Sequence, residues 1–359
     1  MTAPAFGRFF LPGPTDVHPD VLAAMQRPMI GHRSAAMTDF LRALAPPLGA
    51  LCRTARPVLI GTASATGFME MAVRNGVRRR ALSLVNGAFS DRFAKLVVAA
   101  GKECVRLDVS PGCAVEPSMV RDALRRTPVD AVTVVHSETS TGVLQDVEGI
   151  AAVVREFDDV LILVDAVTSL GGSPVEPDRW ELDFTFTGSQ KALALPPGLA
   201  LGVASERLLA RATTLPARGL YFDVVSFSQA TAKFSPTNTP AISLLYALDA
   251  QLARIEAAGG IEARWRRHEA MRRRVEEWAA EQGIDYLPPE GRRSWTVSCL
   301  KLPGGKTAKP VVTGLGEAGW TIGAGYGPLK DTTIRIGHMG DHTVDALNEL
   351  LSALQAVLA

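Results

Sequence analysis

The sequence is short of cysteine: Cys52, Cys104, Cys113 and Cys299 lie far apart in 359 residues and form no CxxC pair. That spacing excludes a disulfide framework and a cysteine zinc site; it fits free thiols in a reducing compartment, the cytoplasm. An excess of charge of one sign is also missing. The 38 Lys+Arg against 37 Asp+Glu leave a formal net charge of +1, which removes the electrostatic drive for nonspecific nucleic-acid binding. No stretch reaches the roughly 18 uncharged apolar residues of a membrane helix, so no membrane span is expected. The first 14 residues lack a basic segment followed by a long apolar one and do not read as a signal peptide. Gly and Pro make up about 15% of the chain, below the roughly 25–30% of low-complexity sequences.

Several motifs are present only in part. Gly305-Lys306-Thr307 resembles the end of a phosphate loop, but position 300 is Leu where that loop needs Gly. No GxSxG elbow occurs. His338 and His342 have the i, i+4 spacing of metal ligands, but a glycine intervenes and no Glu adjoins His338, so no metal is expected. His136-Ser137-Glu138 resembles half of a zinc deaminase signature whose PCxxC half is missing.

What the chain does have is a repeated alternation from about residue 57 to 205. Short Val/Ile/Leu-rich runs at 57–60, 81–85, 103–109, 131–135, 160–164, 184–187 and 200–204 alternate with polar breaks and amphipathic segments. Such runs suit a sheet covered on both faces, and the alternation predicts an α/β fold, a mainly parallel sheet between two helix layers. Ile150, Val153, Val154 and Phe157 fall at helical spacing after a break at Gly149. After about residue 205 the pattern changes. Leu245, Leu248, Leu252 and Ile255 form one helix stripe ended by Gly259-Gly260. A second helix carries Arg264, Arg266, Arg267 and Arg272 to Arg274 interleaved with four Glu, and reads as a solvated face. Strand-like runs at 296–302 and 332–336 and a final helix over 343–358 complete a smaller α+β unit. The expected division is a large domain over 1–255, with an N-terminal arm over 1–18, and a small domain over 256–359.

Polar groups stand just past several of the apolar runs, where ligands of doubly wound sheets bind. The run 57–60 leads into Gly-Thr-Ala-Ser-Ala-Thr-Gly at 61–67 and then a helix, which is either a capped turn or a phosphate cradle. The run 160–164 ends in Asp165, a carboxylate that five apolar residues make hard to expose. It serves either a structural ion pair or cap, or chemistry. The run 184–187 leads to Gly188-Ser189-Gln190-Lys191, followed by apolar residues. Desolvation and nearby positive charge would lower the proton affinity of such a lysine and free its lone pair. An Asp and a Lys on adjacent strand ends beside a phosphate-type loop fit pyridoxal 5′-phosphate.

With these motifs in this order, from Leu11-Pro-Gly-Pro-Thr15 to Arg335-Ile-Gly-His-Met-Gly340, the chain resembles the class V aminotransferases of pyridoxal-phosphate fold type I. It is most similar to the alanine/serine–glyoxylate (or pyruvate) group, with phosphoserine aminotransferases as neighbours. The resemblance implies that Lys191 is the Schiff-base lysine and proton carrier, and that Asp165 pairs with the pyridinium nitrogen while Val167 packs under the ring. It implies a phosphate turn at Ser64, Ala65 and Thr66 with Gln190 as a further ligand, and a bond from Thr139 to the cofactor ring or its 3′-oxygen. Asn238 and Thr239 would reach the phosphate in the neighbouring subunit, which implies a homodimer with shared sites. Arg335 would clamp the substrate α-carboxylate bidentately. Two positions depart from the pattern: Phe89 stands where Trp often stacks on the cofactor, and Ala65 replaces a common glycine.

The implied reaction is ping-pong amino transfer from alanine or serine to glyoxylate or pyruvate. His32-Arg33 resembles a phosphate-binding pair of phosphoserine aminotransferases, so transfer from phosphoserine to 2-oxoglutarate is the alternative. A lyase such as a cysteine desulfurase would need a mobile cysteine, and none occurs after Cys299.

Overall fold

A computed structural model describes residues 6–359. Residues 1–5 of the expected arm, where the signal-peptide reading also begins, lie outside the described residues. In chain order the strands are β1 (Phe9–Phe10), β2 (Val58–Thr62), β3 (Arg80–Val85), β4 (Glu103–Asp108), β5 (Ala131–Val135), β6 (Ser137–Glu138), β7 (Val143–Leu144), β8 (Leu161–Asp165), β9 (Phe184–Gly188), β10 (Leu199–Ala204), β11 (Ser298–Lys301), β12 (Thr321–Ala324) and β13 (Thr333–Ile336). The helices are α1 (Pro19–Ala24), α2 (Ala35–Cys52), α3 (Ala65–Gly76), α4 (Ala88–Ala99), α5 (Pro117–Arg126), α6 (Val147–Val154), α7 (Glu206–Thr213), α8 (Val224–Thr231), α9 (Ile242–Ala257), α10 (Gly260–Glu281), α11 (Ala308–Glu317) and α12 (Val344–Leu358).

All seven apolar runs join one sheet in the order β2-β10-β9-β8-β5-β3-β4. Side-chain alternation explains why the inner strands are mainly apolar, whereas the edge strand β4 carries Glu103, Arg106 and Asp108. In β8, Leu161 and Leu163 pack with α3, α4 and α7, whereas Ile162 and Val164 pack with α5 and α6 on the other face. The pairs β8–β9, β5–β8, β3–β5 and β3–β4 are parallel. Only β10 runs against both of its neighbours. The connection from β9 to β10 spans residues 189–198, which is too short for a helical crossover.

Helix α6 begins before the expected break. Gly149 donates to Asp146 Oδ1 at 2.9 Å, so the glycine lies inside a capped first turn. Gly260 likewise opens α10 rather than ending α9. The face of α10 read as solvated is only partly so. Arg266 and Arg273 are exposed, but Arg264 is buried and pairs with Asp341 at 2.7 Å.

A second sheet, β1-β12-β13-β11, carries its own core with α10, α11 and α12. The arm, grouped above with the large domain, supplies β1 to this sheet through parallel pairing of Phe9 with Thr321. Helix α10 spans both cores: Ile261 and Trp265 pack with α2 and α9, Met271 and Val275 with the C-terminal sheet. The division near residue 256 is our proposal, supported by that separate core. No helix among the described residues is long and apolar enough to cross a membrane.

The arm and β13 meet so closely that Gly337 is the only side chain that fits. Its amide donates to Phe10 O at 2.8 Å, and a Cβ there would collide with the Leu11 carbonyl. Gly337→Ala should therefore destabilise the fold by about 1–3 kcal/mol. Denaturant unfolding checks this; an unchanged midpoint contradicts the contact.

Candidate active site

The parallel strands β8 and β9 end side by side, with Asp165 in register with Phe186. The loop after β9 is closed by its own hydrogen bonds: Ser189 Oγ donates to Pro196 O at 2.8 Å, and Leu199 N donates to Ser189 Oγ at 3.2 Å. This loop presents Lys191, whose residue exposure is 7%, close to Asp165 at 4%. The arm crosses over the lysine. Thr15 N donates to Gln190 O at 3.1 Å, and Lys191 Nζ donates to Pro12 O. Gly13, at φ +107°, passes so close that a Cβ would lie 2.5 Å from Lys191 Cδ.

Burial sets the electrostatics of the pair. Desolvation, with the charge of Arg335, lowers the Lys191 ammonium to about 8 against the opposing pull of Asp165. Desolvation raises the Asp165 carboxyl to about 7, and the charge of Glu138 adds to it, while the Val167 amide at 2.8 Å opposes. That amide is the only hydrogen-bond donor to the Asp165 carboxylate among the described residues. A buried carboxylate with one donor is a ready partner for a cationic ring nitrogen.

Other expected residues gather around the pair. Phe89, in the first turn of α4, holds its ring centroid 5.7 Å from Lys191 Nζ. Thr139 shares a 2.5 Å hydroxyl contact with Thr168. Arg335, on β13, donates to Ala324 O at 2.9 Å and to Thr139 O at 3.2 Å. Those bonds carry the arginine from the small sheet to the mouth of the large one, and burial lowers its proton affinity. Ser64 is the N-cap of α3, is exposed, and makes no side-chain cap bond. Its hydroxyl and the amides of Ala65 and Thr66 start a helix, a favourable place for an anion. Gln190 reaches back toward β9, where a Cβ on Gly188 would lie 2.7 Å from Gln190 Oε1.

The remaining expected residues stand apart. Asn238 and Thr239 are exposed beside the end of β2, near Thr62 and Tyr221. His32 and Arg33 lie in the turn before α2, and no hydrogen bond or ion pair among the described residues joins them to Lys191. His338 contacts Ser298 Oγ at 2.8 Å and His342 contacts Phe9 O at 3.0 Å, so the two histidines have separate partners.

Four site residues escaped the sequence reading. The Pro12 carbonyl receives Lys191, and backbone atoms leave no trace in a side-chain pattern. Tyr326 stands 5.5 Å from the Arg335 guanidinium and 5.9 Å from the Phe89 ring. The Arg92 guanidinium lies 5.0 Å from the centroid of the Phe89 ring and has no ion pair among the described residues. Glu138 is fully buried and sits beside the site through α4. Its visible signal was an acidic residue in a small-polar run directly after a strand.

This fold is that of pyridoxal-phosphate enzymes of fold type I, with the site at the carboxyl ends of its parallel strands. A family model described as "Aminotransferase class-V" matches residues 92–327. An uncharacterized aminotransferase of Methanocaldococcus jannaschii is 36% identical over 97% of this chain and 90% of its own. The L-aspartate–glyoxylate aminotransferase of Paracoccus denitrificans is 30% identical over 93% and 86%. The solved alanine–glyoxylate aminotransferase of Nostoc superposes with a TM-score of 0.93, at 28% identity over 100% of this chain and 97% of that one. The chain belongs to the class V aminotransferases, which are pyridoxal-phosphate-dependent transaminases.

The buried carboxylate yields a stability prediction. A carboxyl raised in the folded state contributes most below the unfolded value and loses that contribution as pH rises through about 7. Asp165→Asn should therefore stabilise the cofactor-free protein, by on the order of 1–3 kcal/mol near pH 8 and by less at pH 5.5. Thermal unfolding at both pH values checks it; a gain that grows toward acid pH would contradict the assigned burial cost.

Proposed function

We propose that this transaminase moves an amino group from alanine or serine to glyoxylate or pyruvate, using pyridoxal 5′-phosphate held by Lys191. The observation that carries the reading is the buried Lys191–Asp165 pair at adjacent strand ends, facing Arg335. The residues present fit the cofactor: an under-partnered carboxylate for its ring nitrogen, an amine of lowered proton affinity for its carbonyl carbon, and an uncapped helix start for its phosphate. When bound, the cofactor supplies an electron sink for charge developing at the substrate α-carbon.

The chain's own residues do the rest. Asp165 would hold the ring nitrogen, and Val167 and Phe89 would pack against the ring. Ser64, Ala65, Thr66 and Gln190 would hold the phosphate, and Thr139 would bond the ring or its 3′-oxygen. Arg335 binds the substrate carboxylate and so fixes which α-bond lies ready to break. Lys191 Nζ, neutral in useful amount near pH 8, takes the α-proton. The rings of Phe89 and Tyr326, beside the guanidinium, suit a short side chain on the substrate. Glyoxylate is the acceptor named for relatives whose donors differ, which supports a small oxo acid here.

We also propose a homodimer. Leu220 is 94% exposed, and an apolar groove lined by Leu41, Leu48, Phe234 and Pro236 adjoins the exposed Asn238 and Thr239. A second copy would cover these surfaces, with Asn238 and Thr239 reaching its cofactor phosphate. The four free cysteines support a cytoplasmic setting.

One observation favours a second reading. Arg92, unpaired beside Phe89, could receive the distal anion of a phosphorylated or dicarboxylic donor such as phosphoserine. His32 and Arg33 would serve that reading only from across a dimer interface.

Lys191→Ala should eliminate the visible band of the lysine-linked cofactor and lower turnover by at least about 10³-fold, as expected for loss of the proton carrier. Spectra and steady-state rates check it, and turnover at the original level would refute the mechanism. Arg335→Lys should raise KM for the amino donor by about 10–100-fold, since a point charge replaces a planar fork. A donor panel of alanine, serine, phosphoserine and aspartate against glyoxylate, pyruvate and 2-oxoglutarate tests the substrate. Preference for phosphoserine or aspartate would move the assignment to the second reading.

A further inference from the structure

Glu138 is fully buried, yet no lysine, arginine or histidine bonds to it among the described residues. Its carboxylate is satisfied by the amino end of α4 and by serines. Phe89 N donates to both oxygens, at 3.3 and 3.2 Å; Ser90 N and Ser90 Oγ donate to Oε2 at 2.9 and 3.0 Å. Ser140 N and Ser140 Oγ donate to Oε1 at 3.1 and 2.6 Å. Gly87 makes room for this: a Cβ there would collide with the Glu138 side chain.

Several donors and the amino end of α4 stand in for the water this buried carboxylate has lost. Two consequences meet at the site. The first is positional. Phe89 donates its own amide to Glu138, so the carboxylate fixes the first turn of α4 and with it the ring beside Lys191. The second is electrostatic. The negative charge of Glu138 reaches Asp165, Lys191 and Arg335, and it opposes the positive charges of Arg92 and Arg335 there.

We infer that Glu138 is a positioning residue of the transamination site: it plugs the amino end of α4, holds the Phe89 ring against the cofactor plane, and supplies the fixed negative charge facing the Asp165–Lys191 pair. This rests on the proposed cofactor chemistry. Both oxygens of Glu138 are taken up by Phe89, Ser90 and Ser140, so it acts through Phe89 and through its field. The charged and titratable groups that share this volume are Asp165 at the end of β8, Lys191 after β9, Arg92 on α4, and Arg335, Tyr326 and Cys299 from the small domain.

The test uses the pyridoxal-phosphate-loaded protein and reads the pH midpoint of the visible band, which reports protonation at Lys191 Nζ. A nearby negative charge favours the protonated form, so its removal must lower the midpoint. Glu138→Gln should lower it by about 1 pH unit, a tenfold loss of proton affinity. Glu138→Asp keeps the charge but withdraws it from the α4 amides. It should hold the midpoint within about 0.3 unit while weakening cofactor affinity roughly 3–10-fold, the size expected for one weakened charge-assisted bond. An unshifted midpoint in Glu138→Gln, or original cofactor affinity in Glu138→Asp, overturns the inference, and the second variant decides if the first does not fold. A merely structural glutamate would lower the unfolding temperature and leave the midpoint in place. If the unsubstituted protein takes up no pyridoxal phosphate, the functional reading falls and this inference falls with it. If the band forms and the variants behave as the original protein does, only this inference falls.

Discussion

Removal of water from one amine and one carboxylate is the constraint around which this molecule is built. Lys191 and Asp165 lose hydration because two buried five-residue strands carry them to the sheet's carboxyl edge, with helices closed over both faces. Each group is thereby moved toward neutrality, the lysine downward and the acid upward. Neither would be tolerated in an ordinary core. They persist because each lies within the field of the other, and because a ligand with a cationic ring and a reactive carbonyl satisfies both.

The second domain is needed for the same reason. Arg335 arrives on β13, from a sheet whose edge strand is the N-terminal arm. The arm then crosses Lys191 at Pro12 and Gly13 and ties to its loop through Thr15. Behind the loop, Arg264 donates to Ala192 O at 2.6 Å and to Asp341 at 2.7 Å, and Gln251 donates to Leu193 O at 3.0 Å and to Asp341 at 3.2 Å. Burial pushes the Asp341 carboxyl up, but the charge of Arg264 and the bonds from Arg264 and Gln251 outweigh it and leave it below the usual range. The lysine loop and the segment that follows Arg335 are thus joined through one partly buried carboxylate. This fixes the separation between the amine and the group that faces it.

Much of the large sheet was legible because burial on both faces leaves a mark in one dimension: seven short apolar-rich runs, of which only the one forming the edge strand β4 carries charges. The elements that escaped lack such a mark. Strand β12 is Thr-Ile-Gly-Ala, four residues with a glycine, and β1 is two residues that become a strand only by pairing with it. Gly149 and Gly260 read as breaks, because helix formers avoid glycine, yet both lie in first turns, where caps and open backbone suit it. Arg264 read as solvated since charge alternation cannot tell which arginine of a helix meets an aspartate 77 residues away.

The sequence by itself determined the strand–helix alternation, the positions of Asp165 and Lys191 past apolar runs, and the presence of an arginine near the end of the chain. These follow from local patterning and from the cost of burying charge. Only the tertiary structure decided that Phe89, Tyr326 and Arg335 stand together, that the arm closes over Lys191, and that Glu138, on β6, accepts from the amino end of α4. Those contacts join residues tens to hundreds of positions apart, and the direction of a hydrogen bond or the reach of a field across such a gap exists only once the chain has folded.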